Sequence, residues 1–291
     1  MLCAGQEPIP GYHIVELLGV GGFGEAWAAT APDGKSVALK FIDCQGKPGS
    51  TIAHEIRIMR SLKDLKHPYF IRLHGVCANS PHIIIIMELA DGSLKDLQAA
   101  YQEETGRNMP VDHVLELLEQ AAEGLDSLAE VHLPGFSLYD GCVQHCDVKP
   151  TNLLVVGDTL KVADFGLCSS ARQELDWQGF RGTPPYAAPE LYEGRTTSRT
   201  DQYGLAVTFC ELCMGARVFL KYPDDVLGYP GPPVDFSKIR DREFAVLSRA
   251  LSERWTDRYP NCREFIAALK VAMRNSRRVP RVPEPVLPGS V

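Results

Sequence analysis

With 291 residues, 45% of them hydrophobic and 23% charged, the chain can fill one large core or two ordinary ones and has the balance of a globular protein. A net charge of −7 leaves no basic footprint, which argues against nucleic acid or anionic lipid as a partner. The longest apolar run, Ile83 to Met87, is too short to cross a bilayer. Met1 to Pro10, with Glu7 and two prolines, does not read as a signal peptide, so a cytoplasmic protein without a membrane segment is expected.

In chain order, Tyr12 to Val20 and Ser36 to Ile42 have β-rich apolar content, and Pro32-Asp33-Gly34 between them is a turn signal. Between these strands lies Gly19-Val20-Gly21-Gly22-Phe23-Gly24, a G-x-G-x-x-G loop in which missing side chains let backbone N–H groups approach phosphate oxygens. Alone it fits a dinucleotide-binding crossover equally well, with Asp43 as the ribose-binding acid. That fold needs a helix directly after the loop, and the turn at residues 32–34 suits a hairpin better. Lys40, in Val37-Ala38-Leu39-Lys40, comes near the end of that second apolar strand. Downstream, Ile52, Ile56, Met59 and Leu62 make the inner stripe of a helix, and Glu55 shares that stripe. A carboxylate there calls for a cation; Lys40 is the candidate, and an exposed position at the stripe's edge is the alternative.

His82 to Met87 is a further strand. From about residue 93 the spacing becomes helical, and Val114, Leu117, Leu118, Ala121, Leu125 and Leu128 form one apolar stripe. A β-rich part followed by a helical part implies two unequal lobes. Tyr203 to Met214 is apolar nearly all round and reads as a buried helix, so its Cys210 and Cys213 are expected in the core rather than on a metal or in redox chemistry. The nine cysteines are odd in number and scattered, which suits reduced thiols. Residues from about 276 carry prolines and arginines without apolar period and read as a tail or linker.

The decisive stretch is His145-Cys146-Asp147-Val148-Lys149-Pro150-Thr151-Asn152, followed at residues 164–166 by Asp164-Phe165-Gly166. In order and spacing these segments resemble the protein kinase family. The resemblance runs from about Tyr12 to Ala272 and looks closest to bacterial relatives of eukaryotic serine/threonine kinases. It implies an α+β bilobal kinase fold over residues 12–275, with a five-stranded N-lobe carrying one helix to about Leu89 and a helical C-lobe from about residue 90.

It further implies that Asp147 accepts the substrate hydroxyl proton, that Asn152 and Asp164 hold Mg²⁺ (or Mn²⁺), and that Lys40, positioned by Glu55, pairs with the phosphates of ATP. Positioning and charge neutralisation are what phosphoryl transfer asks of a protein. Lys149 points to serine or threonine acceptors on a protein substrate. The segment Gly182-Thr183-Pro184-Pro185-Tyr186-Ala187-Ala188-Pro189-Glu190 resembles the peptide-docking element, with Thr183 bonding Asp147 and Lys149. It disfavours a small-molecule acceptor. The adenine site should be lined by Val20, Ala26 and Ala38 above and Leu154 below, with Met87 as gatekeeper and backbone bonds from Glu88 and Ala90. Glu190 should pair with Arg258, and Asp201 should anchor the catalytic loop.

Two features depart from the pattern. Cys146 stands where the family usually has an arginine that pairs with a phosphorylated activation segment, and residues 171–182 contain no Ser, Thr or Tyr. Activation without a loop phosphate is therefore expected, Ser169 and Ser170 being the nearby exceptions. The stretch from Leu133 to Cys142 is longer than usual and has no assigned role. A pseudokinase, binding nucleotide without transfer, is the alternative that the full set Lys40, Glu55, Asp147, Asn152 and Asp164 disfavours.

Overall fold

The computed structural model describes residues 2–21, 24–45, 56, 59–61, 63, 65–79, 81–131, 143–165, 169–170, 182–215, 235 and 241–276. The expectations for Gly22, Phe23, Glu55 and Gly166, the loop 133–142, the segment 171–181 and the terminal tail fall outside these residues.

Five antiparallel strands form the first lobe: β1 (His13–Gly21), β2 (Gly24–Thr30), β3 (Ser36–Asp43), β4 (Leu73–Asn79) and β5 (His82–Glu88), in the order β1-β2-β3-β5-β4. The period-2 pleat sorts their side chains into two layers. Trp27, Leu39, Phe41, Ile84 and Ile86 build an outer core, whereas Ala38, Ile42, Ile83, Ile85 and Met87 face the second lobe. Strand β5, flanked by β3 and β4, is buried on both sides, which is why it reads as an unbroken Ile run. The glycine-rich loop leads straight into β2 rather than into a helix; this removes the dinucleotide-binding alternative.

Residues before Tyr12 join this lobe. Leu2, Ile9 and Tyr12 pack on the outer core. Ile14 bonds Gly5 and Gln6 through its backbone at 2.8 and 2.9 Å, and Asn79 Nδ2 donates to Pro8 O at 2.9 Å. Residues 2–11 thus pack on the first lobe ahead of its first strand.

The second lobe begins with β6 (Gly92–Ser93), α1 (Leu94–Thr105) and α2 (Val111–Ala129). Ser93 and Asp96 cap α1 reciprocally. Every residue of the expected stripe on α2 is buried. After β7 (Val143–Gln144) come the hairpin β8 (Leu153–Val156) and β9 (Thr159–Val162), the short β10 (Ser169–Ser170) paired with β7, and the one-turn α3 (Pro189–Tyr192). Helix α4 (Thr200–Met214) is buried along residues 200–213, as its all-round apolar pattern implies. Cys210 and Cys213 lie in that core, and burial pushes the Cys210 thiol well up, so it is unreactive. Helices α5 (Asp241–Ala250) and α6 (Cys262–Ser276) complete the lobe. Asp126 on α2 accepts the backbone N–H groups of Cys262 and Arg263 at 2.9 and 3.0 Å, satisfying otherwise orphaned donors at the start of α6. No helix among the described residues is long and apolar enough to cross a membrane.

Candidate active site

The lobes meet along a line of backbone bonds. Ile71 N donates to Val162 O at 2.9 Å, Val162 N to Tyr69 O at 2.8 Å, and Asp91 N to Val155 O at 2.8 Å. Phe165 is wedged behind this seam, its ring 5.5 Å from Phe70 and 5.6 Å from His145 in edge-on geometry. Burial of Phe165 fixes the backbone next to it, and hence the carboxylate of Asp164.

Above the seam, Lys40 on β3 reaches Asp164 Oδ2 at 2.5 Å, both side chains being mostly buried. Burial by itself pushes the Asp164 carboxyl up, but the charge of Lys40 and its hydrogen bond prevail and hold it below the ordinary value. A depressed carboxylate contributes stability that is present above its unfolded pKa, about 3.9, and is lost as pH falls through the folded value. Removing the amine leaves burial, the largest single influence, opposed only by the lesser charges of His145 and Lys149, and so reverses the slope. In Lys40→Met, stability measured by chemical unfolding should fall as pH rises from about 4 towards 7. A slope unchanged from the parent protein would refute this linkage.

Below it, the catalytic loop is suspended from α4. Asp201, fully buried, accepts the backbone N–H of His145 at 2.7 Å and of Cys146 at 2.8 Å. Its carboxyl is nonetheless held above the usual range, because burial outweighs those bonds. His145 Nε2 lies 2.8 Å from Ala163 O, and Asn152 O accepts Ala163 N–H at 2.9 Å, so the loop and the residue before Asp164 are laced together. Cys146 and Asp164 both take left-handed backbone conformations, φ 66°, unusual for side-chain-bearing residues and held by this lacing.

Asp147 Oδ2 receives Lys149 Nζ and Asn152 Nδ2, each at 2.8 Å, and Asn152 Nδ2 also reaches Asp147 O at 2.8 Å. Lys149 Nζ continues to Thr183 Oγ1 at 2.5 Å. The expected bond from Thr183 thus forms to Lys149; the Asp147 oxygens are disposed otherwise. Oδ2 is taken by the two nitrogens, and Oδ1 is buried with no hydrogen-bond partner among the described residues, an acceptor they leave unmatched. Asn152, having used its nitrogen on Asp147, keeps its carbonyl oxygen as a donor towards a metal.

On the nucleotide side, Ala26, Lys40 and Ile85 align across the sheet, as do Ala38 and Met87, all on the inner layer. Gly19 pairs with Ala26 on that same side. Val20 does not join them. It pairs with Glu25, which pairs with Phe41 of the outer core, and it is 71% exposed. The expectation for Val20 is corrected by a bulge between Leu17 and Gly19, which shifts the alternation by one residue. Gly24 sits at φ 133°, where a Cβ would run into the carbonyl oxygen of Phe41; only glycine fits this turn of the loop. At the hinge, the Glu88 carboxylate is held by Arg72 N and Lys161 Nζ, both at 2.7 Å, and Ala90 is half-buried beside it. Leu154, partly buried, packs on the same core from below. Lys161 was not anticipated; the alternation Leu160-Lys161-Val162 on β9, which turns the lysine away from the buried face, is the signal that could have shown it.

Among the described residues no group of three or more His, Cys, Asp or Glu side chains could chelate a metal. The available donors are the Asp164 carboxylate and the Asn152 carbonyl, hard oxygens too few for an all-protein cage. That set fits Mg²⁺, which retains water and shares phosphate oxygens.

A glycine-lined loop, a lysine paired with an acid, and a second acid braced by lysine and asparagine define a nucleotide-dependent phosphotransferase class. The protein kinase domain model matches residues 12–279, and the chain belongs to that family. It is 29% identical over 238 residues to the serine/threonine-protein kinase TIO of Arabidopsis thaliana, covering 75% of this chain and 17% of that protein. It is 31% identical over 222 residues to the PTI1-like tyrosine-protein kinase 3 of the same plant, covering 73% and 52%. The chain therefore spans about half or less of the length of these relatives. The kinase domain of Mycobacterium tuberculosis PknI, in a cysteine-to-alanine mutant form, superposes with a TM-score of 0.71 at 27% identity, covering 94% of this chain and 99% of that one.

Proposed function

We propose that the protein transfers the γ-phosphoryl group of ATP to serine or threonine hydroxyls of protein substrates, with Mg²⁺ at Asp164 and Asn152. The observation that carries this reading is the buried, unmatched Oδ1 of Asp147 beside the Lys149–Thr183 bond. In this reading Asp147 Oδ1 accepts the proton of the acceptor hydroxyl and orients its oxygen. Lys149 holds Oδ2 and offers positive charge where the transferring group develops negative charge. Lys40 draws in the α/β-phosphates, and a metal held by Asp164 and Asn152 would supply charge neutralisation. Ala26 and Ala38 form the adenine roof, and Leu154 forms the floor. Glu88 and Ala90 supply backbone bonds at the hinge. Relatives named as serine/threonine and as tyrosine kinases both match, so the acceptor choice rests on Lys149 and its bond to Thr183.

We further propose that no activation-segment phosphate is needed, since Cys146 is buried and lacks the guanidinium with which a phosphate would pair. Incubation with labelled ATP, Mg²⁺ and a generic Ser/Thr protein should label serine and threonine, and Asp147→Asn should abolish most of the signal. Nucleotide binding with no transfer above that variant would favour the pseudokinase alternative. Full activity from protein whose mass shows no phosphate would support switch-free activation; an essential phosphate within 169–182 would refute it.

A further inference from the structure

The docking segment and the catalytic loop meet at a small apolar cluster belonging to neither large core: Cys146, Ala187, Leu191 and Tyr192, all buried. Cys146 sits at the centre of the catalytic loop, its N–H held by Asp201 at 2.8 Å and its neighbour being Asp147. Its carbonyl oxygen lies only 2.8 Å from where a Cβ on Gly182 would be; Gly182 has φ 118°, so glycine is required for the segment to lie this close. From Gly182 the chain passes to Thr183, which accepts from Lys149, and then to Pro184, whose carbonyl takes the Tyr192 hydroxyl at 2.7 Å. The cluster thus closes a ring: Cys146, the start of the docking segment, and its end at Leu191 and Tyr192.

We infer that Cys146 is a positioning residue, whose apolar packing on Ala187, Leu191 and Tyr192 holds the docking segment against the catalytic loop and so sets Thr183 and Lys149 relative to Asp147. The inference rests on the reading that no loop phosphate is needed and names what takes its place. Apolar contact is continuous, where a charge pair with a phosphate is conditional. An arginine at position 146 would force a guanidinium among Ala187, Leu191 and Tyr192, apolar side chains against which a charge is buried at a cost.

The test uses the full chain and the variants Cys146→Ala, Leu191→Ala and their combination. The values of kcat and KM are measured separately for a serine peptide and for ATP, with amide hydrogen exchange followed over 182–192. Cys146→Ala should lower kcat/KM for the peptide about tenfold, through a small misplacement of the segment, with KM for ATP unchanged and exchange at 182–192 faster. The double variant should lose less than the product of the single losses, because both act on one contact. Unchanged peptide kinetics and unchanged exchange in Cys146→Ala would overturn the inference. If the parent protein transfers no phosphate, the proposed activity fails while the exchange readout still decides this point. Should Cys146→Ala not fold, Cys146→Ser, which keeps the volume and puts a hydroxyl in the cluster, is judged by the same exchange criterion.

Discussion

Asp147→Asn should lower kcat for a serine-containing protein by about 10²- to 10⁴-fold, the range for loss of a positioned general base, with ATP affinity little changed. The geometry says why so small a substitution acts so strongly. Two nitrogens, Lys149 Nζ and Asn152 Nδ2, donate to Oδ2. An asparagine at 147 must keep its amide oxygen facing them, since its own NH₂ cannot accept. The NH₂ then occupies the position of Oδ1, and the acceptor left unmatched among the described residues becomes a donor. A substrate hydroxyl at that point meets N–H where it needs a lone pair. Lys40 and Asp164 are untouched, so binding of a fluorescent ATP analogue should match the parent protein. A kcat within about threefold of the parent would remove Asp147 from the base role.

Much of this arrangement is legible in the residues, and the reason is local. Asp147, Lys149 and Asn152 lie within six positions on a loop that Pro150 keeps out of a long helix, and Asp164 follows a strand whose alternation is plain. Lys40 lies inside β3, where the pleat alone decides its face. What was not legible depends on features with no period. The β1 bulge between Leu17 and Gly19 shifts the face of every later residue on the strand, so an unbroken count from Leu17 would turn Val20 inward. The segment before Tyr12 packs through scattered residues, Leu2 and Ile9, that no helix or strand template gathers. The cluster around Cys146 joins positions 146 and 187–192, and sequence separation hides it. The cysteine is conspicuous for the charge it lacks, whereas its neighbours can be learned only from the fold.

The second large effect concerns stability and comes from Arg258. Its side chain is fully buried, yet all its nitrogens are matched. Nη1 and Nη2 donate to Glu190 Oε1 and Oε2 at 2.8 and 2.7 Å, Nε donates to Ser252 O at 2.9 Å, and the guanidinium lies 5.0 Å from the centre of the Tyr203 ring. Glu190 also accepts from Thr200 at 2.9 Å and Thr197 at 3.2 Å. Deleting the cation leaves a carboxylate with 4% exposure and, among the described residues, two weak neutral side-chain donors, which typically costs about 3–5 kcal/mol. Arg258→Ala should therefore lower unfolding stability in urea by that amount. Arg258→Lys should recover little of it, since one ammonium cannot span both carboxylate oxygens and the Ser252 carbonyl together. Arg258→Met with Glu190→Gln should be less unstable than the sum of its parts, because the second change removes the stranded charge created by the first. Glu190 and Thr183 share one short segment, so the same buried pair that stabilises the second lobe also braces the surface on which a protein substrate would lie. A loss below about 1 kcal/mol in Arg258→Ala would place the pair among ordinary surface bridges and separate the segment's anchorage from it.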